Sequence, residues 1–127
     1  MKTDNKIRSF TDLLAWKEGH KLVLNVYRIT KSFPKDERFC LTDQMRRSVL
    51  SVTSNIAEGF SRPTKPDKKH FYYQALGSLT ELQNQLLVSR DIGYLEAGEF
   101  STVVDLTVSV SKLIRFLVRY LNTLSGP

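Results

Sequence analysis

Residues 41–66 read LTDQMRRSVLSVTSNIAEGFSRPTKP, and the spacing within this stretch decides the fold class. Leu41, Met45, Val49, Val52, Ile56 and Phe60 recur every three or four positions. That is the period of one helix face, not the alternation of a strand. Thr42 is a candidate N-cap, and Gly59 a candidate stop near the far end. The spacing predicts a helix over about 42–60. Arg62-Pro63-Thr64-Lys65-Pro66 breaks it, and Pro66 fits the first turn of a new helix, where its missing N–H costs nothing.

Three further segments follow outward from this one. Upstream, a helix is predicted over about 13–32, capped by Thr11 or Asp12. One of its stripes runs through Trp16, His20, Val23 and Tyr27, and a second through Ala15, Leu22, Val26, Ile29 and Phe33. Pro34 ends it. Downstream, a helix over about 66–92 carries Phe71, Ala75, Leu79, Leu82 and Leu86, and spans roughly 40 Å at about 1.5 Å per residue. Ala75, Gly77 and Ser78 are small enough for a neighbouring helix to come close. After Gly93-Tyr94 a fourth helix is predicted over about 97–122. Phe100, Val103, Thr107, Val110, Ile114, Leu117, Leu121 and Leu124 are spaced for one face, and Leu106, Leu113 and Phe116 add to a second. Its β-branched residues are weak helix formers, but their spacing is helical. Four amphipathic segments with short connections predict an all-α fold, an antiparallel up-down four-helix bundle.

The chain has 127 residues, a length expected of one domain covering 1–127. Its hydrophobic content of 41% is that of a globular chain. The single cysteine, Cys40, excludes an internal disulfide and a Cys-based zinc cluster. Met1–Phe10 shows no apolar signal core, and the longest run without Asp, Glu, Lys or Arg extends only from His70 to Thr80. A membrane span needs about 20 predominantly apolar residues. A reduced, cytoplasmic protein without a membrane partner is expected. The first and fourth helices carry more apolar stripe than one buried face uses, which predicts a homo-oligomer.

Net charge is +6, and it is unevenly distributed. Residues 1–69 hold 15 basic and 8 acidic side chains, whereas residues 70–127 hold 4 and 5. Such asymmetry points to a polyanionic partner, RNA or DNA before membrane. Three basic groups stand out: Arg46 and Arg47 early in the second helix; Arg62, Lys65, Lys68 and Lys69 around the second break; and Lys112, Arg115 and Arg119 on one stripe of the fourth helix. Lys68 and Lys69 fall in a first helical turn, where the helix dipole disfavours cations. An external anion would offset that cost. Tyr72 and Tyr73 place aromatic faces nearby.

Catalytic motifs are weak. His20 and His70 are the only histidines. No paired metal-ligand spacing, phosphate-binding glycine loop or nucleophile elbow occurs. His20 reads as a partly buried histidine and His70 as a solvated one. Some small helical RNases carry an Arg-x4-6-His signature, but seven residues separate Arg62 from His70. Cys40 has no dedicated base near it in sequence. The expectation is no enzyme, no cofactor and no metal. The second helix also carries a polar ladder of Gln44, Arg47, Ser51, Asn55 and Glu58. Arg47 and Glu58 lie three turns apart and cannot pair with each other. Each needs a partner elsewhere, either solvent or an inter-subunit network.

Several of these residues form a recognisable pattern. It runs Asp12-Leu13-x-x-Trp16, Val26-Tyr27-x-x-Thr30-x-x-Phe33-Pro34-x-x-Glu37, and Gln44-x-Arg46-Arg47-Ser48. It continues with Ser54-Asn55-Ile56-Ala57-Glu58-Gly59, Ala75-x-Gly77-Ser78-x-x-Glu81-Leu82 and Gly93-Tyr94. From Phe10 to Leu121 the chain resembles the four-helix-bundle proteins encoded within intervening sequences of bacterial 23S rRNA genes. The resemblance implies a ring-like homopentamer. It also implies kinship with the accessory variability determinant of diversity-generating retroelements, a basic pentameric barrel that binds nucleic acid and a reverse transcriptase. Trp16, Tyr27, Gln44, Asn55, Glu58, Gly59 and Gly77 become structural or interface positions on that resemblance. Cys40 departs from it, since the family usually has glycine before Leu41.

The resulting expectation is a non-enzymatic, homo-oligomeric RNA- or DNA-binding protein. The alternatives are an adaptor that recruits a polymerase-like protein partner and, last, a small RNase using Arg62 and His70.

Overall fold

The computed structural model describes residues 6–127 and contains four long helices: α1 (Leu14–Thr30), α2 (Leu41–Ser61), α3 (Lys65–Asp91) and α4 (Ala97–Thr123). Among the described residues there is no strand. Each helix packs on its neighbours in sequence, and α4 closes back on α1. The result is a four-helix bundle. One end gathers the start of α1, the end of α2, the start of α3 and the end of α4. No helix is long and apolar enough to cross a membrane.

Burial explains why each segment is helical. Leu22 and Val26 of α1, Met45, Val49, Val52 and Ile56 of α2, Leu79, Leu82 and Leu86 of α3, and Val103, Val110 and Ile114 of α4 are all fully buried. A valine in a helix costs up to about 0.7 kcal/mol relative to alanine. Burying its side chain returns about 1.5–3 kcal/mol. Packing therefore overrides the weak propensity of α4.

The helix ends differ from expectation in three places. Thr11 and Asp12 do not cap α1. They lie in a 3-10 turn, Phe10–Asp12, whose cap is Ser9. The Ser9 hydroxyl accepts from the Thr11 N–H at 3.1 Å, and the Asp12 carboxylate accepts from the N–H groups of Arg8 and Ser9. These bonds hold the Asp12 carboxyl below its ordinary range. Thr42 lies inside α2, buried, and the helix begins at Leu41 after Cys40, which has φ −119°. Gly59 does not stop α2; the helix runs on to Ser61 and ends where Arg62 turns extended before Pro63. Thr64, by contrast, is a true cap of α3. Its hydroxyl accepts from the Asp67 N–H, with Pro66 in the first turn.

The extra stripe of α1 is largely covered from within the chain. Trp16 meets Phe10 edge-on at 5.5 Å and stacks on His20 at 4.8 Å; His20, expected to be partly buried, is exposed. Arg46 lies over Tyr27.

Gly59 has another role. A Cβ there would sit 2.7 Å and 2.9 Å from ring carbons of Tyr72, which is only 3% exposed. The missing side chain lets α2 and α3 close on each other. Gly77, in contrast, has nothing within 4 Å of such a Cβ. The two positions predict opposite outcomes by urea unfolding. Gly77→Ala stabilises by about 0.8–1 kcal/mol through helix propensity alone. Gly59→Ala gains the same term but meets overpacking of about 1–3 kcal/mol, for a net loss of about 1 kcal/mol. An equal gain at both sites would show that the seam has room to spare.

Candidate nucleic-acid interface

The nine basic residues singled out by sequence divide sharply in the structure. Five are engaged inside the chain. Arg46 is half-buried; its Nε donates to Thr30 Oγ1 at 3.0 Å, and its guanidinium lies 4.5 Å from the Tyr27 ring centre. It braces α1 against α2. Arg47 donates from Nε to Asp43 one turn back at 2.9 Å. Arg62 donates to Glu58 at 2.7 Å and stacks over Phe71 at 4.6 Å. Lys65 donates from Nζ to the Leu124 carbonyl, and its backbone N–H donates to the Pro127 carbonyl at 3.2 Å.

Lys68 reverses the sequence argument most clearly. Its Nζ donates to the Phe60 carbonyl at 2.6 Å and the Gly59 carbonyl at 3.4 Å, beside the Phe60 ring. These carbonyls end α2. The cation disfavoured at the start of α3 is thus held at the negative end of the α2 dipole. The chain itself supplies the counter-charge that was expected from an external anion. Burial also pushes the Lys68 ammonium below its ordinary pKa.

Four cations remain. Lys69, Lys112, Arg115 and Arg119 have no hydrogen bond or ion pair among the described residues. Lys112, Arg115 and Arg119 are exposed on α4, and Lys69 is half-buried on α3. Gln83 of α3 donates to Thr107 of α4 at 2.9 Å, which fixes the register of these helices. Lys69 lies 14 residues back from Gln83, nearly four whole turns, so it projects from the same side of α3. Arg119 lies 12 residues on from Thr107. At about 1.5 Å per residue the two are roughly 21 Å and 18 Å from that bond, at the same end of the bundle.

Aromatic rings accompany these charges. Tyr73 is 56% exposed, one turn from Lys69, whereas burial of Tyr72 pushes its hydroxyl up to about 12. Phe116 and Tyr120 are 57% and 52% exposed, one turn apart beside Arg115 and Arg119. Tyr120 escaped the sequence reading, although its spacing from Phe116 is the signal. Phe116 and Tyr120 also line an apolar groove of about 490 Å³, together with Leu14 of α1.

The polar ladder of α2 closes within the chain. Arg47 and Glu58 find partners one turn away in Asp43 and Arg62, not in a distant element. Ser51 and Ser78 hydroxyls meet at 2.8 Å, Asn55 donates to the Ser51 carbonyl at 2.8 Å, and Ser48 donates to Glu81 at 3.1 Å. The ladder lines the α2–α3 seam; Gln44 at its start is exposed. Arg62 is turned toward Glu58 and Phe71, and His70 is exposed with its ring against Phe71 at 5.1 Å. Among the described residues no cluster of His, Cys, Asp and Glu could hold a metal ion.

Residues 11–115 match the family model described as 23S rRNA-intervening sequence protein. The chain is also similar to a crystal structure of a protein of unknown function from the S23 ribosomal protein family of Bacteroides thetaiotaomicron. The two are 16% identical with a TM-score of 0.77, over 84% of this chain and 96% of that one. At that identity the likeness is one of fold. No curated protein matches.

The division of the cations is open to direct test by urea unfolding. Lys68→Met removes the donor to the α2 carbonyls and costs about 1–2 kcal/mol. Lys69→Met stays within about 0.5 kcal/mol of the parent. Equal effects would place the two lysines in the same environment.

Proposed function

The chain belongs to the 23S rRNA-intervening sequence protein family, and from that premise we propose that it is a non-enzymatic, homo-oligomeric protein that binds RNA or DNA through phosphate contacts. One observation carries the reading. Of the nine candidate cations, Lys69, Lys112, Arg115 and Arg119 keep their charge unpaired among the described residues. All four lie on α3 and α4, at or toward one end of the bundle. Unpaired cations of this kind release counterions on binding phosphate and carry no sequence information.

The oligomer is a ring of five copies in this reading, as the family resemblance implies. The apolar side chains left in solvent support it. Leu24 is exposed on α1, and Leu87, Val88 and Ile92 on α3. Helices α1 and α3 stand at opposite corners of the bundle. Two different patches on opposite corners suit a head-to-tail contact, the kind that closes a ring. Such contacts would leave the outer face of α4 open. A reduced compartment, the cytoplasm, suits the exposed free thiol of Cys40.

Titrating binding of a fluorescent structured RNA and a duplex DNA, from low salt to about 150 mM, tests the reading, with mass followed by light scattering. Arg115→Ala with Arg119→Ala reduces the magnitude of the log–log salt slope by about 0.7–0.9 for each cation removed. Arg46→Ala leaves the slope unchanged and lowers stability instead. An unaltered slope in the Arg115/Arg119 variant, with the oligomer intact, would refute the assignment. Firm retention of a protein partner with no nucleic-acid binding would favour the adaptor role.

A further inference from the structure

We propose that the outer face of α4 takes single-stranded nucleic acid, with unpaired bases stacking on Phe116 and Tyr120 and entering the groove beside them. The inference rests on the nucleic-acid reading above and narrows its substrate class.

The geometry supplies both halves of such a site. Lys112, Arg115 and Arg119 form one stripe of α4, and Phe116 and Tyr120 form the stripe next to it. The charges have no partner among the described residues, and both rings are more than half exposed. Successive residues of each stripe are three or four positions apart, so each ring has a cation within about one turn. Phosphates would lie along the arginines while bases reach across to the rings. Base–aromatic stacking of this kind tolerates any sequence, because every base has a π-face.

The groove adds depth to the flat stripe. Its volume of about 490 Å³ lies within the range of about 300–1,000 Å³ typical of small-ligand pockets. Leu14, Phe60, Lys68 and Tyr72 are among the other lining residues. A planar base, apolar on both faces, matches that lining. The unpartnered cations alongside give the charge complementarity that commits the groove to a nucleic-acid strand. A duplex hides its base faces in the stack and would meet the same cations without using either ring. Discrimination between single and double strands therefore falls on Phe116 and Tyr120. The strength of binding to any polyanion falls on Lys112, Arg115 and Arg119.

The experiment compares short fluorescent oligo(U), oligo(dT) and a duplex of equal length on the full chain at fixed salt, with mass followed by light scattering. The parent protein binds oligo(U) or oligo(dT) at least about tenfold more tightly than the duplex, and the two homopolymers report whether RNA or DNA is favoured. Phe116→Leu and Tyr120→Leu keep apolar bulk but remove the rings. Each weakens single-strand binding by about tenfold and leaves the duplex affinity and the mass unchanged. Tyr120→Phe keeps the ring and the affinity. Equal affinity of the parent for single strands and duplex would overturn the inference while leaving the phosphate-contact reading in place. A fall in mass on either leucine substitution would also overturn it, by showing that the face is covered by a second copy. No binding to any of the three would overturn both.

Discussion

The hydrogen bonds from Lys68 to the last carbonyls of α2 are the constraint on which the α2–α3 corner depends. A helix ends with carbonyls that lack intrahelical donors, and the next helix begins with N–H groups that repel a cation. The short break between α2 and α3 brings these two ends together. Lys68 spans them, with its ammonium beside the Phe60 ring. The closure is tight because Gly59 leaves room for Tyr72. Arg62 and Lys65 are consumed at the same corner, on Glu58 and on the C-terminal segment. The loop that holds the densest run of positive charge in the sequence thereby has three of its four cations engaged by its own chain. Of the nine candidate cations, those left unpaired among the described residues are Lys69 on α3 and Lys112, Arg115 and Arg119 on α4.

The division between stability and availability follows from side-chain length and surroundings. Arg46 could have faced solvent, yet a hydroxyl on α1 and the Tyr27 face hold it between helices. Its contribution is to the packing of α1 on α2. Lys112, Arg115 and Arg119 stand on a helix face whose neighbouring positions carry no carboxylate within reach; Asp105 lies a full two turns from Lys112. They remain available because nothing on their own helix competes for them. A net charge of +6 therefore overstates how evenly a polyanion would be attracted over the surface.

Most of the fold was legible. Core positions such as Met45, Val49, Val52 and Ile56 were visible because a helix face repeats with a fixed period, and burial rewards that period strongly. The ends were less legible. Thr11, Asp12 and Thr42 have the chemistry of caps, but short 3-10 turns precede both helices and shift the cap to Ser9 or remove it. Gly59 looked like a stop because glycine favours helix ends, whereas here it serves an inter-helix contact that a single sequence does not display. The site was half legible. A count of lysines and arginines locates charge, but backbone carbonyls and ring faces, the partners of Lys68, Arg62 and Arg46, leave no mark in a charge count. The rings at Tyr27, Phe60 and Phe71 were there to be read as cation partners, and the pairing became evident only once the helices were docked.

The central claim is the proposal that a polyanion is bound by the unpaired cations, chiefly those of α4, and not by the engaged cations of the α2–α3 junction. Amide hydrogen exchange followed by mass spectrometry, with and without saturating oligo(U) at low salt, tests it directly on the unmodified protein. The account predicts added protection, or altered exchange of neighbouring amides, over residues 112–120, with residues 41–55 of α2, which lie away from the groove, unchanged. Changes confined to residues 58–68, with α4 unaffected, would contradict it.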